Sequence, residues 1–295
     1  MKKGITKILS ACVFAFVVFL AAGTQSKAAV NMGVKQTGAG SSYVDLAWDA
    51  QLGAGHYHTQ FSQDGKNWID MDNSSSPSES VYNLTQGASY YARVVAYKGS
   101  HYTGTHVMIG VSETAIVSTK PTEVSGLTQT AAGVNSVSMS WNASAGAASY
   151  VIYGYINYNW TQIGTSATNS ATITGVAATT STRFSVAAVK NVTGGTVTGD
   201  QCSGVEMKAI PIKVSRIAMQ YYWDSLKEAK YIWTDVNNAD GYQYEVKSAN
   251  GKKTYFRATS TNSYTYVKPF PRGIFVKARV RAYVTVGNKV NYGAW

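Results

Sequence analysis

Apolar and polar residues alternate one by one in three separate stretches, and each stretch ends on a tryptophan. They read Val44-Asp45-Leu46-Ala47-Trp48, Val137-Ser138-Met139-Ser140-Trp141 and Ala229-Lys230-Tyr231-Ile232-Trp233. A period of two puts every second side chain on one face of an extended strand, so each stretch predicts a strand whose core face carries the tryptophan. Nine residues after each tryptophan stands a tyrosine, at Tyr57, Tyr150 and Tyr242. It opens a second alternating run. Tyr57, Thr59 and Phe61 alternate with His58, Gln60 and Ser62, and Tyr242, Tyr244 and Val246 alternate with Gln243, Glu245 and Lys247. Asp64-Gly65 and Asn250-Gly251 then supply hairpin turns. A third run recurs as Ala92 to Tyr97, Phe184 to Val189 and Ala278 to Tyr283, with Val94, Val186 and Val280 aligned and Ala96, Ala188 and Ala282 aligned. After the first 28 residues no stretch carries a long helical period.

The tryptophans are 93 and 92 residues apart. A period of that length is a whole small domain and not a solenoid unit. Short strands in units of about 90 residues predict a two-sheet antiparallel sandwich, used three times. Proline interrupts pairing at Lys120-Pro121 and at Pro211. The expected domains are therefore residues 29–120, 121–210 and 211–295.

On these residues the chain resembles the fibronectin type III domains. The resemblance rests on the strand tryptophan, the tyrosine nine residues on, and the run Tyr90-Tyr91-Ala92-Arg93-Val94-Val95-Ala96-Tyr97. The third repeat is similar to versions found in secreted and surface proteins of Gram-positive bacteria. It does so through Ala239-Asp240-Gly241-Tyr242-Gln243-Tyr244-Glu245-Val246, Val280-Arg281-Ala282-Tyr283 and Tyr292-Gly293-Ala294-Trp295. The resemblance implies an all-β chain of three tandem seven-stranded immunoglobulin-like sandwiches, with a role in spacing and binding and not in catalysis. One departure stands out. The family's corner pair, a leucine with a tyrosine six residues on, is intact as Leu84 and Tyr90, but the equivalent pairs are Val176 with Thr182 and Phe270 with Val276.

Lys2, Lys3 and Lys7 precede an apolar run from Ile8 to Gly23, and Ser26-Lys27-Ala28 follows. This is the layout of a secretory signal peptide ending at about Ala28. The run is short for a spanning helix, which needs ~20 residues. Leu9-Ser10-Ala11-Cys12 has the letters of a lipobox, but most of the apolar run comes after it, so the match is read as chance. Removal of the segment leaves Cys202 as the only cysteine and forbids an intramolecular disulfide. That suits a secreted bacterial protein whose domains fold on their cores alone.

Charge changes the picture further, because it is shared unequally. Residues 30–119 hold four basic and seven acidic side chains, residues 120–210 hold four and three, and residues 211–295 hold fourteen and five. In the third repeat Val276, Ala278, Val280 and Ala282 point inward. Lys277, Arg279 and Arg281 therefore share an outward face, to which the neighbouring strand adds Lys247. Such a face suits an anionic polymer. In the second repeat Tyr153 and Tyr155 are expected to face outward, where rings stack on sugars. Four histidines, His56, His58, His101 and His106, lie in the first repeat. His-x-His is common on strands, so they are read as scattered surface residues, and neither a metal nor a cofactor is assigned. Acids are sparse, and no nucleophile, phosphate loop or metalloprotease motif is present, so the chain is expected not to be an enzyme.

The function expected is a secreted, monomeric, non-enzymatic surface or adhesion protein. It binds anionic cell-wall polymer or a host glycan or protein through its basic third domain, with no membrane span and no nucleic-acid partner. Two other readings stand beside it. One is a carbohydrate-binding accessory of a secreted hydrolase system that uses Tyr153 and Tyr155. The other is a structural spacer or a fragment of a longer surface protein, since Trp295 falls within the expected last strand.

Overall fold

The computed structural model describes residues 29–99, 106–178, 181–270, 273 and 275–295. The expected signal segment and His101 lie outside the described residues. The first repeat forms β1 (Lys35–Ala39), β2 (Val44–Ala47), β3 (His56–Ser62), β4 (Ile69–Ser74), β5 (Ser78–Val81), β6 (Ser89–Lys98), β7 (Val107–Val111) and β8 (Ala115–Ser118). The second forms β9 (Thr128–Gly133), β10 (Ser136–Ser140), β11 (Ser149–Ile156), β12 (Asn159–Ser166), β13 (Ser170–Thr174), β14 (Thr182–Val192), β15 (Gly195–Thr198) and β16 (Val205–Met207). The third forms β17 (Ile217–Trp223), β18 (Glu228–Trp233), β19 (Gly241–Ser248), β20 (Thr254–Ser260), β21 (Tyr264–Val267), β22 (Val276–Val286) and β23 (Lys289–Tyr292).

These strands make tandem antiparallel sandwiches, each a small sheet facing a larger one. The small sheets run β1-β2-β5, β9-β10-β13 and β17-β18-β21. The larger ones run β4-β3-β6-β7, β12-β11-β14-β15 and β20-β19-β22-β23. β8 and β16 add to β6 and β14, where the last strand is broken in two. Cys202 sits at the second break. Its thiol accepts the Val186 N–H at 3.2 Å, as the Ser112 hydroxyl accepts the Val94 N–H at 2.8 Å in the first sandwich. The buried thiol thus serves a backbone donor.

Three apolar clusters fill the three sandwiches. The Trp–Tyr pairs lie inside them, with ring centroids 5.4, 5.3 and 5.4 Å apart and interplanar angles of 67°, 68° and 63°. The tyrosine hydroxyls reach past the tryptophans to the loops. Tyr57, Tyr150 and Tyr242 accept the N–H of Gln51, Ser144 and Val236 at 3.0, 3.0 and 2.8 Å. The indole N–H groups of Trp48, Trp141 and Trp233 are buried and have no hydrogen-bond partner among the described residues. Tryptophan is therefore present for its volume and shape.

The corner expected of the first sandwich forms, with Tyr90 accepting the Thr85 N–H at 2.9 Å. In the third sandwich Phe270 instead packs on Tyr222 and Tyr231, a ring contact in place of a hydrogen bond. Chain entry into the second and third sandwiches needs glycine just past β15 and β23. A Cβ on Gly199 would meet the Pro121 carbonyl oxygen at 2.9 Å, and one on Gly293 would meet that of Pro211 at 2.6 Å. Side chains also bridge consecutive sandwiches: Lys120 to Asp200 at 2.7 Å and Lys208 to Asp240 at 2.6 Å. Among the described residues no helix is long and apolar enough to cross a membrane.

The pairing predicts an ordered mutant series in the second sandwich. Trp141→Ala should cost about 3–5 kcal/mol, as large-to-small core changes do. Trp141→Phe should cost clearly less, because no indole hydrogen bond is lost. Tyr150→Phe should cost about 1 kcal/mol for the orphaned Ser144 N–H. Urea midpoints of the full chain check the order.

Candidate functional site

The outward face of the larger sheet of the third sandwich gathers all four basic residues singled out from the sequence. β22 alternates as expected: Val280, Ala282 and Val284 are buried, while Lys277 is exposed and Arg279 and Arg281 are half-buried on the other side. Register then places partners across from them. Lys247 stands opposite Lys277, Glu245 opposite Arg279, and Gln243 opposite Arg281. On the other side of β19, Arg257 of β20 stands opposite Glu245.

Glu245 organises this face. Its side chain has no solvent-accessible area, yet it lies on the outer surface of the sheet, roofed by long cationic side chains and not by core. Arg279 Nε donates to Oε2 at 2.6 Å, and Arg257 Nε donates to Oε1 at 2.8 Å with a second bond from Nη2. Lys247 Nζ lies 3.2 Å from Oε2. Burial pushes the carboxyl up, but the hydrogen bonds from Arg257, Arg279 and Lys247 outweigh it and hold the pKa at about 2. The charge-assisted bonds make the arrangement rigid.

Aromatic rings continue the face. Arg279 lies 4.2 Å and Arg281 4.4 Å from the Trp295 ring centroid, and Arg281 lies 3.9 Å from that of Tyr292. Arg281 also donates twice to Gln243 Oε1, at 2.9 and 2.7 Å. Five cations (Lys247, Arg257, Lys277, Arg279, Arg281) surround one carboxylate, so the face keeps four net positive charges. Three of its cationic members, Lys247, Arg257 and Arg279, are held by Glu245 and are therefore not free hands for a ligand. Arg281 is bonded to Gln243 instead, and Lys277 stands opposite Lys247.

The tyrosines picked from the second repeat lie on the outward face of the larger sheet, Tyr153 half-buried and Tyr155 engaged by a neighbouring ring. Tyr153 is half-buried between Ser185 and Gln162 in the register. Tyr155 packs edge-on against Trp160 at 5.3 Å, and Trp160 in turn lies over Gly204, where a Cβ would meet the ring at 2.7 Å. The two tyrosines thus cover their own sheet.

A larger aromatic surface occupies the outward face of the smaller sheet in the third sandwich, and the sequence reading passed over it. Trp223, Tyr264 and Tyr266 are exposed there, and Trp223 and Tyr266 stack at 6.3 Å with planes 16° apart. Lys230 sits among Tyr221, Tyr264 and Tyr266, 5.0–5.7 Å from the ring centroids. The signal was present: Tyr264 and Tyr266 alternate with Ser263, Thr265 and Val267, so both had to lie on one face. The histidines also differ from expectation. His56 is not a surface residue before β3 but its first residue, 2% exposed.

No family model and no curated protein matches this chain. Solved structures similar to it include the FN1–FN3 domains of chicken CNTN1, at 16% identity and a TM-score of 0.32, covering 89% of this chain and 94% of that one. Another is a two-domain fibronectin type III segment of chicken tenascin, at 17% identity and a TM-score of 0.31, covering 60% of this chain and 97% of that one. Sheet order and core contacts of the chain itself define its class, a tandem antiparallel β-sandwich protein.

Glu245 makes the stability of the third sandwich acid-sensitive in a set direction. Its folded pKa of about 2 lies below the ordinary 4.5, so the unfolded state takes up the proton first as pH falls. The contribution is complete above pH 4.5 and fades between there and about 2. In Glu245→Gln that added slope should vanish. Hydrogen exchange of β19 and β22 amides, compared between wild type and variant at each pH, measures the difference.

Proposed function

We propose that this is a secreted, non-enzymatic modular surface protein that holds an anionic polymer on the cationic face of its third sandwich. The units proposed are residues 29–120, 121–210 and 211–295. The observation that carries the reading is the outer face of the β19–β22 sheet, where five cations flank one carboxylate with Trp295 and Tyr292 at the edge. A polymer that repeats its negative charge, such as a wall teichoic acid or an acidic polysaccharide, meets such a row several charges at a time. Each contact is weak in water and salt, and attraction grows by repetition. The Glu245 network helps by fixing the guanidinium planes in advance, which lowers the ordering cost of binding.

The polymer would lie along the sheet with its phosphates or carboxylates over Lys277 and Arg281, and its apolar edges against the two rings. A duplex nucleic acid is not the partner proposed, because the signal segment read from the sequence directs the chain out of the cell. The first and second sandwiches would then project away from the attachment point, a spacer role that follows from a tandem arrangement.

One observation favours a second reading, in which the chain binds glycan rings by stacking. It is the exposed set Trp223, Tyr264 and Tyr266, and not the engaged Tyr153 and Tyr155. Its counter-reading is cross-strand packing that stabilises the sheet with no ligand.

Two variants separate these readings. Lys277→Glu with Arg281→Glu leaves Glu245 and its partners in place. The double variant should lose retention on purified anionic wall polymer, and wild-type retention should fall steadily as salt is raised. Retention that ignores both salt and charge reversal rejects the cationic reading. Tyr264→Ala with Tyr266→Ala should leave that retention intact and abolish any signal on a neutral glycan array.

A further inference from the structure

We propose a second site, independent of the polymer-binding face: a divalent transition-metal centre of the zinc class in the first sandwich, held by the imidazoles of His56, His58 and His106. The fold brings the three together from separate places. β3, β6 and β7 are neighbours in that order. His56 and His58 are two apart on β3 and so share its outward face. Register sets Tyr97 of β6 opposite His56, and the pairing of Lys98 with Val107 carries His106, just before β7, to the same end of the sheet. The ligand nitrogens of the three histidines all lie within 4.8 Å of one another.

The geometry of the closest pair fits a metal. His56 Nε2 and His106 Nδ1 are 3.0 Å apart. Tetrahedral zinc with bonds of about 2.0–2.1 Å to imidazole needs nitrogens about 3.3 Å apart, so this pair already stands near that spacing. Side-chain rotation of His58 closes the third position.

The tautomer of His56 is also set correctly. Its Nδ1 lies 2.9 Å from the Gly99 carbonyl oxygen. A carbonyl only accepts, so Nδ1 carries the hydrogen and the Nε2 lone pair is turned toward His106. A ring N–H bonded to a backbone carbonyl is the usual outer support of a metal-binding histidine. Tyr97 adds the other support. Its ring stacks on His56 at 5.2 Å with planes 11° apart, and lies 4.9 Å from His58 and 5.9 Å from His106. The His56 ring is therefore held in place before any ion arrives.

The donor set selects the ion. Three neutral imidazole nitrogens suit zinc, copper, nickel or cobalt and not calcium or magnesium, which take oxygen. Metal-free, one hydrogen sits between His56 Nε2 and His106 Nδ1. The ion takes its place, and the His106 ring carries its hydrogen on Nε2 instead, so no net proton is released. Three ligands leave a fourth position for water or a donor from a partner, on the side where His106 is exposed. The bound ion ties the edge strand β7 to β3 across β6.

Zinc chloride titrated into the full chain after chelator treatment, followed by calorimetry, tests the site. Binding should saturate at one equivalent per chain, and cobalt should give the visible bands of a nitrogen-bound four-coordinate ion. Zinc should also raise the thermal midpoint, because it binds only the folded state. His58→Ala and His106→Ala should each weaken binding by more than roughly 100-fold, beyond the ~10–100-fold cost of losing an outer-shell partner. His106 is exposed but bonds the buried His56 ring, so its loss lowers the metal-free midpoint somewhat, and the readout is the zinc-dependent rise above each variant's own metal-free midpoint. Absence of saturable binding, or binding of equal strength in the His106→Ala chain, overturns the proposal.

Discussion

Each sandwich depends on one contact, the edge of a tryptophan from the smaller sheet against the tyrosine of the larger. The centroid distances agree to within 0.1 Å across the three sandwiches. The pair does two jobs at once. Its rings fill the space between the sheets, where aromatic pairs add about 0.5–1.5 kcal/mol beyond their buried area. The tyrosine hydroxyl then ties down the loop between the two strands by accepting one of its N–H groups. Sheet spacing, loop path and the direction of the strand that follows are all set from that point. With β3, β11 and β19 so placed, the outward alternation of each is no longer free, and the histidine and cationic faces are consequences of it.

Because the core is repeated, function has to lie on the faces that are not. The outer surface over β3, β6 and β7 carries histidines; that over β19 and β22 carries cations. Both are organised by a polar group that the sheet geometry leaves little choice about. Glu245 is opposite Arg279 and beside Arg257 by register alone. His56 is opposite Tyr97 by register alone. A single-residue slip in either pairing would turn these side chains into the core, so the buried Trp–Tyr contact also guards the surface chemistry.

Much of this was legible in the sequence, and the reasons are specific. Period-two runs before Trp48, Trp141 and Trp233 place the inward faces, and β22 keeps the alternation that put Lys277, Arg279 and Arg281 together. What could not be read was pairing across strands. Glu245 looks like one more polar residue until Arg257, twelve positions later, is set beside it by the β19–β20 hairpin. His106 is fifty residues from His56 in sequence, and only the β3–β6–β7 order makes them neighbours. Alternation puts Tyr153 and Tyr155 on one face but says nothing about Trp160 folding back against Tyr155. Tyr264 and Tyr266 were legible by the same rule.

The pairing of Arg257, Arg279 and Lys247 with Glu245 bears on how a cationic face should be counted. A tally of free side chains would discount the arginines held by the carboxylate and leave little more than Lys277 and Arg281. A polymer approaching from solution does not sample side chains one at a time. Beyond a few ångströms it feels the summed charge, out to a screening length of ~8 Å at physiological salt. On that scale one carboxylate cancels one charge, whichever cation it touches, and the remainder stands. What the network changes is the near field. Guanidinium groups locked to Glu245 and laid against Trp295 keep outward N–H groups in a fixed plane, whereas free lysines would have to be ordered by the ligand. A buried carboxylate under a basic sheet thus costs the face one unit of attraction and returns a surface already shaped for repeated anionic groups.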